Sequence, residues 1–241
     1  MAKLPASITP PDFYGIVEKG IYRSNILHPT NFSFLKTLSL KTVIVLSPEP
    51  PTRALSTLFD EAGIKVIHLG VQAWKPTLGW RPVSEELIKE GLEIILDVSY
   101  HPALIMCTSG LHETGILVGC LRKLQGWNFN SIVTEYRSFA GTKSRYVNEQ
   151  FIELFDLDLV TLPMSLPQWF IRQQQLLREE EEELQNSLPQ PDSHDSPRLL
   201  YLGGVPSRAA SGPTTPRLFV KNAAGRKADK PKKSKTVEDS D

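Results

Sequence analysis

Residues 103–124 limit most narrowly how this chain can fold: a short apolar run, Ala103-Leu104-Ile105-Met106, enters a turn and leaves it as a helix. Past Gly115 the apolar residues Ile116, Leu117, Cys120, Leu121 and Leu124 recur at helical spacing. Between strand and helix, Cys107-Thr108-Ser109-Gly110-Leu111-His112 carries a glycine and small hydroxyl residues. A strand that delivers a cysteine to a tight turn at a helix N-terminus surrounds it with backbone N–H groups, and such a cradle wraps an anion. The positive end of the helix also favours a thiolate at Cys107, the form that acts as a nucleophile.

Phosphoryl chemistry in such a loop asks for an arginine six residues after the cysteine, forked onto two phosphoryl oxygens. Glu113 stands there. A carboxylate roughly 4 Å from a phosphate costs about 4 kcal/mol at an effective dielectric near 20. Half of that is already worth an order of magnitude or more in rate, before the missing arginine is counted. Glu113 also disfavours the thiolate by placing an anion beside it. In the first turn of a helix, however, a glutamate meets the positive end of the dipole and steadies an empty loop. The residue is easy to fold and hostile to the chemistry.

The other elements fit a mainly parallel sheet. Strands are expected at 21–23, 42–46, 66–69 and 103–106, with β-branched residues prominent in the second and third. Helices are expected at 31–38, 52–62 and 84–98, the last with Leu87, Ile88, Leu92 and Ile95 at helical spacing, and they supply the crossovers. Segments 130–140 and 144–155 complete a helical flank. The expected fold is a three-layer α/β domain.

The loop and its surroundings resemble the fungal and plant atypical dual-specificity phosphatases, the tyrosine phosphatase family of oxidant-induced cell-cycle-arrest proteins. Upstream, the resemblance rests on Pro11-Asp12-Phe13, Gly20-Ile21-Tyr22-Arg23-Ser24, Asn31-Phe32-Ser33-Phe34-Leu35, Leu40 to Leu46 and Ala62-Gly63-Ile64-Lys65. Downstream it rests on residues 119–127, Glu135-Tyr136-Arg137-Ser138-Phe139-Ala140 and Gln150-Phe151-Ile152-Glu153. It spans about residues 11–160. It implies the cysteine-phosphatase fold, Cys107 as nucleophile, and a phosphate loop of Thr108, Ser109, Gly110, Leu111, His112, Thr114 and Gly115. Active members act on phosphotyrosine-like or inositol pyrophosphate substrates; no metal or other cofactor is expected in this chain. Three positions depart from their pattern: Met106 replaces a histidine, Leu111 a lysine and Glu113 the arginine. The chain thus resembles the family's degenerate paralogues, and the resemblance implies a pseudophosphatase with a vestigial Cys107, acting as a binding or regulatory subunit beside related family members. The alternative is an active phosphatase in which Lys75, Arg81, Arg137 or Arg145 takes over the arginine's work.

Protonating a leaving oxygen needs a carboxylic acid near the cysteine. In the family that acid belongs to the loop after the third strand, here residues 70–82, which hold no Asp or Glu. Lys75 and Arg81 stand there beside Trp74 and Trp80 and are candidate ligand contacts, against the simpler reading of solvated cations on a capped core. His112 beside Glu113 suggests no metal site, because a lone Cys-x4-His pair lacks the further ligands zinc wants.

Lysines plus arginines and aspartates plus glutamates number 27 each, and the balance calls for no polyanionic partner. No apolar run has the length of a membrane span, and the two cysteines, Cys107 and Cys120, suit a reducing compartment. The chain divides into an N-terminal extension (1–10), a phosphatase-like domain (11–162), an acidic helical extension (163–186) and a basic tail (187–241) too polar to order itself. The extension carries Trp169, Phe170, Leu176, Leu177 and Leu184 beside consecutive glutamates 179–183, read as a solvated acidic helix or, more sharply, a docking helix. The tail's cluster Arg226-Lys227 with Lys230 to Lys235 resembles a nuclear-import signal, yet a cytoplasmic setting is expected first. Expected partners are phosphatase-family paralogues in a hetero-oligomer and a phosphorylated ligand, with no membrane and no specific nucleic acid.

Overall fold

In a computed structural model of the full chain, the residues described are 8–70 and 82–187. Five strands form one sheet: β1 (Gly15–Glu18), β2 (Ile21–Ser24), β3 (Thr42–Val45), β4 (Lys65–His68) and β5 (Ala103–Met106), in the order β1-β2-β5-β3-β4. Only β1 runs antiparallel, hairpinned to β2. β5 is central, pairing parallel with β2 (Ile21 opposite Ala103, Ser24 opposite Met106) and with β3 (Thr42 opposite Ala103, Val45 opposite Met106). Every residue of β3 and β5 is buried, as a parallel sheet covered on both faces requires.

The seven α-helices described are α1 (Phe32–Leu35), α2 (Arg53–Glu61), α3 (Glu85–Ile95), α4 (Glu113–Leu124), α5 (Phe129–Ala140), α6 (Tyr146–Leu154) and α7 (Gln168–Ser187). Their starts are legible in the caps. Thr52 accepts the Leu55 N–H, Ser84 the Leu87 N–H and Asn128 the Asn130 N–H, each satisfying a donor the helix leaves orphaned. α1 is a single turn between two 3₁₀ turns, shorter and less regular than the helix expected over 31–38. β1 is the strand the sequence reading lacks, since Gly-Ile-Val-Glu is short and leaves Ile16 largely exposed.

α4 lies at the centre of the helical layer and buries all its residues from Thr114 to Arg122. It packs tightly because Gly115 and Gly119 lack side chains where Tyr136 and Ile152 press in; a Cβ on Gly115 would sit 2.9 Å from the Tyr136 ring. On the opposite end of α4, Arg122 is 5% exposed and ties the layers together. Its guanidinium donates to Glu18 (2.6 Å), Glu135 (2.9 and 3.1 Å), Gln125 (3.0 Å) and the Val17 carbonyl (2.9 Å). It also stacks on Trp127, 4.4 Å from the ring centre. One side chain therefore joins the edge strand β1 to α4 and α5.

The first turns of α7 dock on this domain through Phe170, through Leu177 against Gly126, and through Gln174, which donates to the Leu124 carbonyl. Leu176 and Leu184 are exposed, so the apolar residues of this segment do not share one buried side. No described helix is long and apolar enough to cross a membrane.

Candidate active site

β5 ends at Met106 and α4 starts at Glu113, so the six residues from Cys107 to His112 form the turn between the central strand and the central helix. Gly110 makes the turn possible. Its φ is +71°, and an added Cβ would lie 2.6 Å from the Asn25 backbone nitrogen. The Gly110 N–H donates to Cys107 Sγ at 3.2 Å and is shared with the Cys107 carbonyl at 3.3 Å. The Leu111 N–H donates to Ser109 Oγ at 3.2 Å. Thr114 lowers the thiol's pKa through its N–H and hydroxyl, although the hydroxyl does not meet full hydrogen-bond geometry toward any partner.

These donors do not win. Burial, and after it the charge of Glu113, pushes the Cys107 thiol above its ordinary pKa, and only 1% of the residue is exposed. The sequence leads one to expect a thiolate favoured at the helix N-terminus; instead the thiol is raised, because loss of water around the sulfur outweighs the donors that Thr114 offers. Sequence alone revealed the glutamate but not the burial. Glu113 stands in the first turn of α4 and enters no ion pair among the described residues. Met106 and Leu111 are each 1% exposed, Met106 within the apolar core, so neither departure from the family pattern offers a cation or a proton donor.

Arg23, at the third position of β2, is the buried cation of the site. It is 1% exposed, donates from Nη2 to the Gly110 carbonyl at 3.0 Å, and lies 3.8 Å over the Phe139 ring. Burial lowers its pKa to about 10, against the opposing pull of Glu135 and Cys107. The sequence reading placed Arg23 only within a matched block; its signal was a charge in the middle of a strand that pairs with the fully buried β5.

His112 leans on the helical flank. Asn148 Nδ2 sits 3.3 Å from His112 Nδ1 and donates to the Tyr136 hydroxyl at 2.9 Å; that hydroxyl also accepts the Arg145 N–H at 3.1 Å. Burial, then the charge of Arg145, lowers the His112 pKa. Lys143 and Arg145 are exposed beside this face of the loop, and neither enters an ion pair among the described residues. Arg137 is different. Its guanidinium forks onto Glu149 at 2.7 and 2.6 Å, which removes it from the cations free to serve the loop. Glu49, from the segment after β3, reaches Thr108 Oγ1 at 3.5 Å and brings a carboxylate to the loop that sequence reading did not single out. Lys75 and Arg81 lie outside the described residues, as do nearly all of 70–82 and the basic tail. Cys107 and Cys120 are both free thiols, Cys120 fully buried with its pKa pushed up by that burial. Among the described residues no group of His, Cys, Asp or Glu converges on a metal site.

A parallel sheet that sets a cysteine at the end of its central strand, in a turn closed by a helix N-terminus, defines a protein of the cysteine-phosphatase class. The model of the tyrosine phosphatase family matches residues 8–173, and the chain belongs to that family. It is 47% identical over 160 residues to the probable tyrosine-protein phosphatase DG1060 of Dictyostelium discoideum, covering 66% of this chain and 95% of that one. It is 41% identical over 157 residues to the inositol diphosphatase DSP4 of Arabidopsis thaliana, covering 65% and 78%. Among solved structures, the core catalytic domain of the PP-IP phosphatase SIW14 from S. cerevisiae, in complex with citrate, aligns with a TM-score of 0.58. That alignment has 34% identity and covers 74% of this chain and 96% of that one.

Proposed function

We propose that this chain is a pseudophosphatase of its family: a binding or regulatory subunit whose Cys107 loop takes up a phosphorylated ligand with little or no hydrolysis. The observation that carries this reading is Glu113 in the first turn of α4, beside a buried thiol whose pKa it helps to raise. The loop keeps the N–H groups and glycine that cradle an oxyanion, while the charge that stabilises a phosphoryl transition state has been reversed. The kinship with inositol diphosphatases suggests an inositol pyrophosphate as ligand, with a phosphotyrosine peptide as the second class to try. Related family members are the partners this role calls for. The reversion Glu113→Arg tests it: a large gain of Cys107-dependent turnover identifies the carboxylate as the lesion, whereas unchanged or reduced turnover means the glutamate is not what silences the loop.

A second reading, an active phosphatase of altered mechanism, has two observations in its favour. Lys143 and Arg145 are exposed cations beside His112, and Glu49 supplies a carboxylate at Thr108. Here Cys107, as thiolate, would attack phosphorus to form a phosphocysteine as the P–O bond to the leaving group breaks, Arg145 would neutralise the phosphoryl oxygens, and Glu49 would give its proton to the leaving oxygen and then take one from the water that hydrolyses the phosphocysteine. Measurable turnover in the wild type that is lost in Arg145→Ala and in Glu49→Gln decides for it; turnover untouched by both removes it.

A further inference from the structure

Arg23 is a charged side chain buried in the sheet with more donors than acceptors. Its Nε and Nη1 find no hydrogen-bond partner, its Nη2 donates to the Gly110 carbonyl at 3.0 Å, and the Phe139 ring 3.8 Å away covers its face. Burying a guanidinium with two nitrogens unmatched is costly, and a methionine or leucine would fill a strand position without that cost. Its placement follows from register. Arg23 pairs with Ile105 on β5, so the two side chains stand on the same side of the sheet, two residues before the turn takes the chain to Cys107, whose charge Arg23 feels. That side is the one α4 covers: Arg23 Nη2 lies 3.9 Å from where a Cβ on Gly115 would be, under the first turn of the helix.

The bond to Gly110 has a geometric effect on the loop. The Gly110–Leu111 peptide is trans and planar, so its carbonyl and the Leu111 N–H point in opposite directions. Drawing the carbonyl down to Arg23 turns the Leu111 N–H back toward the turn, where Ser109 Oγ now accepts it at 3.2 Å. The same anchor holds the Gly110 N–H on Cys107 Sγ at 3.2 Å. We propose that Arg23 is the positioning residue of the Cys107 loop: by fixing the Gly110 carbonyl from beneath, it aims the Gly110 N–H at the sulfur and the Leu111 N–H at the seat of an oxyanion. This rests on the reading of the loop as the ligand site. The charged and titratable groups around the sulfur are Arg23 from β2, His112 and Glu113 at the start of α4, and Glu49 through Thr108.

The test is alkylation of Cys107 by iodoacetamide in the full-length protein, followed peptide by peptide across the neutral to alkaline range, in the wild type, Arg23→Met and Arg23→Lys. Arg23→Met slows alkylation at fixed pH by about tenfold and moves the midpoint of the profile upward. Arg23→Lys keeps the charge but not the planar guanidinium that carries Nη2 to the Gly110 carbonyl, and is expected to remain clearly slower than wild type. A folded Arg23→Met with the wild-type profile overturns the proposal, and so does an Arg23→Lys profile identical to wild type, which would mean that charge alone suffices. Where Arg23→Met does not fold, the lysine variant answers alone. Tungstate provides the anion probe: in the wild type it should protect Cys107 and shift the Leu111 amide resonance. Protection without any shift at Leu111 contradicts the positioning role. Absence of protection removes the ligand-site reading instead, and the Arg23→Lys profile still decides the inference.

Discussion

Arg137 and Glu149 are joined by two hydrogen bonds, from Nε and Nη2 to the two carboxylate oxygens, at 2.7 and 2.6 Å, across the junction of α5 and α6. The arginine's side chain is 58% exposed and the glutamate's only 7%, so the pair exists to serve a carboxylate that the fold has buried. An arginine engaged in this way does not turn toward the loop. Substituting Arg137→Leu should lower the melting temperature at neutral pH by leaving Glu149 uncompensated, while leaving alkylation of Cys107 unchanged. A variant that keeps the melting temperature but alters Cys107 would return Arg137 to the site.

Arg122 is a stronger case. Its guanidinium holds Glu18, Glu135, Gln125 and the Val17 carbonyl together, and Arg122→Met leaves two carboxylates facing each other with no cation between them. The expected loss is about 3 kcal/mol, read by urea denaturation. Both carboxylates retain partial access to water, at 22% exposure, which keeps the figure at the lower end for a broken buried pair. A loss within experimental error would show that the network is solvated.

Gly115 lets the helix start where the loop needs it. A methyl group there would press on the buried Tyr136 ring at 2.9 Å, and that ring cannot swing away without giving up its bonds to Asn148 and Arg145. Gly115→Ala should cost about 1–3 kcal/mol in denaturation experiments, as small-to-large changes in packed cores do. A neutral or stabilising effect, the ordinary gain from alanine in a helix, would mean that α4 and α5 are free to separate.

His112 gives the domain a pH dependence whose sign is fixed. Burial, then Arg145, lowers its pKa below the ordinary imidazole value, so the unfolded chain binds the proton more readily than the folded one. Stability therefore rises with pH through this window and is lost as pH falls below the unfolded pKa. In His112→Gln that slope should flatten in melting curves taken from neutral to mildly acidic pH. An unchanged slope would place the acid sensitivity in other groups.

The parts of this molecule that follow local rules were readable from the chain. β5, the Cys107 turn and α4 came from an apolar run, a glycine and a helical stripe, and the parallel order from helices between strands. β1 was not readable, because four residues with an exposed Ile16 carry little hydrophobic signal and the strand exists by pairing with β2. The roles of Arg23 and Arg122 were hidden for a different reason: the Gly110 carbonyl that Arg23 holds lies 87 positions away in sequence, and the β1 partners of Arg122, Val17 and Glu18, about 105. Glu113 was visible as a reversed charge, yet the larger cause of the raised thiol pKa, burial of Cys107, appears only when strand, loop and helix close together.

The most direct measurement is single-turnover hydrolysis of an inositol pyrophosphate by the purified full-length chain, with Cys107→Ser as the baseline. A loop with Glu113 in place of the arginine should show no phosphate release above that baseline, even where the ligand binds. Release well above Cys107→Ser, at the pace of an intact phosphatase, would contradict the account and make this chain an enzyme.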